Sequence, residues 1–326
     1  MIHFVVTRDH RYTLGKLLSG KLGRLNFEHR LWTYERLLRK RTIPGGTWIF
    51  QDIERLSHHE KSLTARIANT LTDAGARVLN HPAKSCARYE LLRRLARGGV
   101  NDFNVYRADE QVVPQRWPVF IRFENNHFSP DPKLLPDAES LAAELGDYQE
   151  RSVPLSTLLI IEYCGEQNDQ NLWRKYSAFR IGDEIIHHHI VHERHWVAKF
   201  GKTIEGIPDY ILERNRMTER QFVESDGDPH GLMRIFQLGG LEFGRADFGF
   251  VESRPQIYEI NTNPTLGAIS ADDDPCPQLP REPLIRAANQ RVIAALGRLD
   301  QAGDGSVGIA RHTYHPLLPW RRTPRP

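Results

Sequence analysis

The rhythm of strands changes once along this chain, and that change restricts the fold more than any single residue does. In the first 80 or so residues, apolar strand-like runs alternate with helical stretches; from residue 158 onward, strands follow one another across short turns. The first pattern implies parallel strands with crossover helices, the second an antiparallel sheet. Ile2–Thr7 and Thr47–Gln51 are apolar runs that predict buried strands. Between them the basic stretch Phe27–Arg41 carries Leu31, Tyr34, Leu37 and Leu38 at helical spacing, which predicts a helix. Ser62–Ala74 predicts a second helix, stopped by Gly75, and Ala76–Leu79 a short strand. The Asn80-His81-Pro82 turn is the expected end of this α/β layer.

Beyond it, Tyr89–Ala96 predicts a short arginine-rich helix ended by Gly98-Gly99. Val119–Glu124 predicts a strand with Val119, Ile121 and Phe123 on one face and Phe120, Arg122 and Glu124 on the other. Asn125–Pro136 is polar and proline-containing, so a loop is expected, and Asp137–Leu145 predicts an amphipathic helix. Leu158–Tyr163, Tyr176–Ile181, Glu184–His192, Ala246–Val251 and Gln256–Ile260 predict the later strands, with Gly182-Asp183 as a two-residue hairpin turn. Glu282–Leu299 predicts the last helix, and the proline- and arginine-rich residues 309–326 a flexible basic tail.

Composition narrows the class. The 326 residues are 40% hydrophobic, enough for a sizeable core, and 44 basic against 41 acidic side chains leave a net charge of only +3. A dedicated nucleic-acid binder would concentrate basic charge on one face, so nucleic acid is not expected as a partner. No apolar run approaches the roughly 18–20 residues that span a bilayer, and the N-terminus has no secretory pattern. Cys86, Cys164 and Cys276 are odd in number and scattered, which argues against a disulfide framework. The expectation is a soluble cytoplasmic protein without a membrane partner.

Chemistry concentrates in Gly240–Gly267, GLEFGRADFGFVESRPQIYEINTNPTLG. Glu259 and Asn261 are two apart on one predicted strand and share a face. Asp247 lies on the preceding strand of the same hairpin. A connection with an odd number of residues puts it beside Glu259; an even number puts it on the other face. Together the three offer two carboxylates and an amide oxygen, hard donors suited to Mg²⁺ against substrate phosphates. The bland alternative is a plain hairpin with exposed acids.

Asp247 followed by Tyr258-Glu259-Ile260-Asn261-Thr262-Asn263-Pro264, together with the order of elements over residues 80–300, resembles the ATP-grasp superfamily. That group includes D-alanine–D-alanine ligase, glutathione synthetase and glutamate-adding ligases. The resemblance implies a mixed α/β and α+β architecture: an N-terminal α/β domain (1–82), a lid (83–162) and a larger antiparallel-sheet subdomain (163–308), with ATP clasped between the last two. It implies ATP and Mg²⁺ as cofactors, with Asp247, Glu259 and Asn261 as magnesium ligands. Arg88 and Arg122 correspond to the phosphate-gripping bases. The hinge that reads adenine corresponds to Ile161-Glu162-Tyr163-Cys164, with Glu166, Gln167 or Asp169 placed for the ribose. Arg245 corresponds to a group steadying an acyl phosphate and Lys175 to a further phosphate contact; each could instead be a surface ion pair.

Two features depart from the pattern. Both phosphate-gripping positions are arginine where lysine is usual, and the lid loop Glu124–Pro130 has no glycine. The activity implied is ATP-dependent joining of a carboxylate to an amine through an acyl phosphate, with small-molecule acid and amine substrates and a homodimer as a plausible assembly. A kinase acting on an alcohol and a non-catalytic nucleotide binder are the alternatives. Substrate contacts are expected from loops, with Glu193–Asp228 as such a region.

Other motifs are weaker. Gly201-Lys202-Thr203 mimics the end of a P-loop, but Trp196 stands where its first glycine is required. His187-His188-His189 with His192 and His195 invites a zinc reading, His187 and His189 sharing a strand face; a polar face, or the lining of an acidic-substrate pocket, is the alternative. Cys86 and Cys164 lack a nucleophile signature. The basic residues of Arg36–Arg41 and Arg321-Arg322 suit a solvated face or an anionic partner equally.

Overall fold

The N-terminal layer is a parallel sheet. The computed structural model describes residues 1–110, 112–125, 132–198, 207–267, 279–301 and 305–309. β1 (Ile2–Val6) runs through a 3-10 stretch, Arg8–Leu14, into the single-turn α1 (Gly15–Leu18). Then come β2 (His29–Thr33), α2 (Tyr34–Leu37), β3 (Thr42–Pro44), β4 (Thr47–Phe50), α3 (His58–Asp73) and β5 (Arg77–Leu79). The strands lie in the order β2-β1-β4-β5, all parallel. Every residue of β1 is buried because helices cover both faces. Val5, Trp48 and Phe50 pack under Leu63, Ile67 and Leu71 of α3. Ile2, Phe4 and Val6 point the other way. α3 starts where the sequence caps it: Ser57 Oγ accepts from Glu60 N and Glu60 Oε2 accepts from Ser57 N.

Phe27–Arg41 is not one helix. Its first half is the edge strand β2, and only Tyr34–Leu37 makes a helical turn, capped by Thr33. His29–Thr33 pair residue by residue with Ile2–Val6 and bury Trp32 against His3 and Trp48. A ladder and a buried indole outweigh a helical spacing carried by four residues.

The middle layer contains α4 (Arg88–Arg97), β6 (Val105–Arg107), β7 (Val119–Phe123), α5 (Ala138–Glu150) and β8 (Leu158–Glu162). Its antiparallel sheet has the order β6-β8-β7. β8, which the sequence rhythm grouped with the later strands, thus belongs to a separate sheet. β6 has only three residues and leaves too short a pattern to predict.

The last layer begins with β9 (Trp173–Ile181) and β10 (Glu184–Glu193), joined by the expected turn with Gly182 at φ +61°. It continues through α6 (Asp209–Glu224), α7 (Leu232–Leu238), β11 (Phe243–Val251) and β12 (Arg254–Asn261) to α8 (Glu282–Arg298) and β13 (Ser306–Gly308). The sheet order is β10-β9-β11-β12, entirely antiparallel. Two helices therefore interrupt the strands, and α6 occupies much of the span expected to be loop. Residues 199–206, which include the P-loop mimic, lie outside the described residues, as do 126–131 of the lid loop, Cys276 and 310–326 of the tail. β13 pairs with β3, returning the chain to the N-terminal layer.

Candidate active site

The row of residues that crosses the last sheet defines the site. In register, His189 of β10 stands beside Ser177 of β9, Ser177 beside Asp247 of β11, and Asp247 beside Glu259 of β12. The β11–β12 connection is only Glu252-Ser253, with Val251 paired to Arg254. That even count alone would put Asp247 and Glu259 on opposite faces. A bulge restores the parity: Phe248 pairs with Ile257 and Asp247 with Glu259, leaving Tyr258 as the extra residue. The expected odd-length turn is thus replaced by a two-residue turn and a bulge. Asn261 pairs with Arg245 one step further along the same face.

These side chains open onto a cavity of about 350 Å³ between the middle and last sheets. Arg122, Glu162, Tyr163, Cys164, Glu166, Lys175, Arg245, Asp247, Glu259 and Asn261 all line it. Arg88 lies just behind, where its guanidinium pairs with Glu259 and donates to Glu124 O at 2.9 Å.

One end of the cavity is a charge cluster. Arg122 Nη2 meets Glu259 Oε2 at 3.1 Å. Arg245 Nε donates to Asp247 Oδ1 at 3.0 Å, Lys175 Nζ lies 3.4 Å from Asp247 Oδ2, and Ser177 Oγ donates to Asp247 Oδ1 at 2.8 Å. Burial pushes the Asp247 carboxyl up, but Arg245, Lys175 and the Ser177 hydroxyl outweigh it and hold the pKa below the ordinary value. Burial lowers the Arg122 pKa; Glu259 opposes that shift and the neighbouring Arg88 adds to it. Four cations (Arg88, Arg122, Lys175 and Arg245) thus surround two carboxylates, a local excess of two positive charges. Such a cluster attracts a polyanion.

The other end is aromatic and apolar. Phe120, Tyr163, Trp173, Trp196 and Tyr258 line it, with Ile161 and Cys164. Trp196 lies 5.1 Å from the Phe120 ring and 5.4 Å from Tyr163, whose hydroxyl accepts from Trp173 Nε1 at 2.6 Å. The space between is suited to a flat heterocycle.

The hinge residues divide in role. Tyr163 N donates to Pro118 O and Glu162 N to Asn104 O, so neither amide is available to a ligand. The Glu162 side chain is 2% exposed and accepts from Tyr106 Oη, Gln115 N, Arg116 N and Asn104 N at 2.7 to 3.1 Å. It ties β6 and the segment before β7 to β8. Glu166 accepts from Glu252 N at 3.0 Å and so anchors the β11–β12 turn. Burial raises the pKa of both Cys86 and Cys164, as expected of inert side chains rather than nucleophiles.

The strand end beyond Asn261 is fixed to the N-terminal layer. Asn261 Oδ1 accepts from Asn263 N at 2.8 Å, Thr13 Oγ1 donates to Asn263 Oδ1 at 2.6 Å, and Asn263 Nδ2 donates to Asp52 Oδ2 at 2.9 Å. Gln51 Nε2 donates to Thr262 O at 3.1 Å. The C-terminal ends of β1 and β4 therefore position the site's oxygen donors.

Sequence reasoning passed over Ser177, Trp173, Arg174 and Trp196. Ser177 could be found only from the β9–β11 pairing; the two tryptophans flank the assigned residues without a motif of their own. The histidine run does not form a metal site. A bulge at His188 breaks the alternation, so His187 packs on Phe222 of α6 while His189 takes the sheet face of Ser177 and Asp247. Among the described residues no group of three or more His, Cys, Asp or Glu side chains is placed to hold a metal ion.

No family model matches this chain, and no curated protein does. Solved structures similar to it include a D-alanine–D-alanine ligase from Bacillus anthracis complexed with ATP. That likeness is at 12% identity and TM-score 0.45, over 90% of this chain and 98% of that one. A RimK domain ATP-grasp protein from Sphaerobacter thermophilus is similar at 13% and 0.45, over 92% and 99%. The ATP-grasp ligase PsnB complexed with a minimal precursor is similar at 13% and 0.47, over 90% and 99%.

Proposed function

We propose that this chain is an ATP-dependent ligase of ATP-grasp type that joins a carboxylate to an amine through an acyl phosphate, releasing ADP and phosphate. The observation that carries the reading is the polarity of the cavity: an aromatic slot at one end and four cations around two opposed carboxylates at the other. An adenine fits the first and a triphosphate the second. Phosphoryl transfer asks the protein for positioning and charge neutralisation more than for a nucleophile.

Asp247, Glu259 and Asn261 fit a magnesium ion by the chemistry of their donors: two carboxylates and an amide oxygen on one sheet face. When bound, the ion would neutralise phosphate charge. Arg88 and Arg122, now paired with Glu259, would then turn to phosphate oxygens, and arginine can grip these bidentately. Arg245, beside Asp247, would hold the acyl phosphate, and Lys175 would contact the phosphate chain. In this reading the adenine lies against Tyr163, Trp173 and Trp196.

ADP release screened over pairs of amino acids and small dicarboxylates with amines tests the proposal. The ligase predicts ADP only when acid and amine are both present. ADP formed with a lone alcohol would replace it with a kinase; Mg·ATP binding without turnover under every pair would leave a nucleotide binder.

A further inference from the structure

Residues 1–41 hold ten basic and three acidic side chains, a net charge of +7. The other residues, 34 basic and 38 acidic, carry −4, so the excess belongs to one region. Five of the ten cations sit on the connection from β1 to β2, one (Arg30) on β2 itself, and four from Arg36 to Arg41. All ten are exposed. Among the described residues none of them is ion-paired with an acid. Exposed arginines elsewhere are paired: Arg254 with Asp102, Arg286 with Glu282 and Arg298 with Glu184. Like charges left together without counter-charges repel one another and lower stability. A surface that keeps them at that cost is suited to an anionic partner.

The topology gathers these cations around β2. It is the outer strand of its sheet, and the connections on either side of it pack on opposite faces. Leu17 and Phe27 of the first pack with Phe4 and Val6. Leu37 and Leu38 of the second pack with Val5 and Trp32. Arg30 and Arg36 hold their guanidinium carbons 4.6 and 5.1 Å from the Trp32 ring, so both lie over one indole of the edge strand.

Along its outer side, the β2 backbone has no hydrogen-bond partner among the described residues; its ladder is with β1. An open edge of this kind takes an added strand through main-chain hydrogen bonds. Successive side chains of that strand would point to opposite faces, and cations stand on both. The Trp32 ring is 2% exposed and offers a nucleotide base nothing to stack on.

We infer that the β2 edge docks an extended acidic polypeptide segment, a run of consecutive Asp or Glu residues, as an added strand. The five residues of β2 give it about 17 Å of ladder. Val6 pairs with Thr33, so the carboxyl end of β2 adjoins the start of Arg8–Leu14. Thr13 of that segment holds Asn263, whose amide bonds Asn261 of the cavity. The docking surface is thus continuous with the segment that anchors the site. Docking itself is independent of the ligase chemistry.

The test is fluorescence anisotropy of labelled octaglutamate titrated with the full chain at low salt. Wild type should bind it saturably. Arg24→Glu combined with Arg39→Glu, one cation from each connection, should weaken binding by about tenfold or more. Neither side chain has a described partner, so the fold should be unchanged. Arg97→Glu, at the end of α4, should bind as wild type does. A measurement on wild type guards against misfolding of the variant: octaglutamate N-methylated throughout keeps its charge but has no amide donors. It should bind about tenfold more weakly or worse. No saturable binding by wild type, equal binding by the double variant, or equal binding of the N-methylated peptide overturns the inference. Tighter binding of a single-stranded thymidylate octamer also overturns it and gives the surface to nucleic acid. None of these outcomes alters ADP release, which tests the ligase separately.

Discussion

Glu162 and Glu259 are both glutamates lining one cavity, yet their hydrogen bonds assign them different work. Glu162 accepts from three backbone amides and a tyrosine hydroxyl, so Glu162→Gln turns an NH₂ toward donors. About 2–4 kcal/mol of stability should be lost, seen as a lower Tm, because unsatisfied buried groups cost about 1–3 kcal/mol each. A residue that only contacted nucleotide would leave Tm unchanged. Glu259→Ala should abolish Mg-dependent ATP hydrolysis while circular dichroism remains native; wild-type-like hydrolysis would refute its place at the phosphates. The acids were legible from strand spacing and the stretch Asp247…Asn263, whereas the hinge and the cationic positions were marked only by the family resemblance and the order of elements. Their partners were not. Ser177, Trp173 and Trp196 become visible only when separate strands meet.

At the scale of elements, two bulges do what sequence spacing could not announce. Tyr258 corrects the face of Glu259, and His188 puts His189 on the face of Ser177 and Asp247 while sending His187 into the core. A bulge has no periodic signature, so parity arguments from the turn alone fail in both places. The same limit explains Phe27–Arg41, where an open sheet edge decides the structure. Gly249 shows how tightly the Tyr258 bulge is held: a Cβ there would lie 2.3 Å from the Tyr258 hydroxyl. Gly249→Ala should therefore displace Tyr258 from the cavity wall. Nucleotide affinity should fall about tenfold by titration, the equivalent of about 1.4 kcal/mol, with a smaller effect on folding. Unchanged affinity would mean that Tyr258 is not part of the nucleotide slot.

For the whole molecule, the last layer is tied to the N-terminal layer by polar contacts such as Asn263 with Thr13 and Asp52. Buried histidines distribute a pH liability through it. His3 and His188 are lowered to about 4 and His192 to about 3, chiefly by burial, so the unfolded chain binds protons that the folded chain refuses. Their contribution is intact above the ordinary value of 6.5 and drains away as pH falls toward 4. The slope is up to about 1.4 kcal/mol per pH unit for each histidine. Chemical denaturation between pH 7 and 4 should show this loss; a flat profile would contradict it. The central claim is that the cavity takes a magnesium nucleotide, and the most direct measurement is the Tm of wild type and Asp247→Asn against rising Mg·ATP. Wild type should show a saturable increase, equivalent to about 2.7 kcal/mol at a hundred times Kd, and Asp247→Asn little or none. A wild-type Tm indifferent to Mg·ATP, or an equal rise in both proteins, would contradict the account.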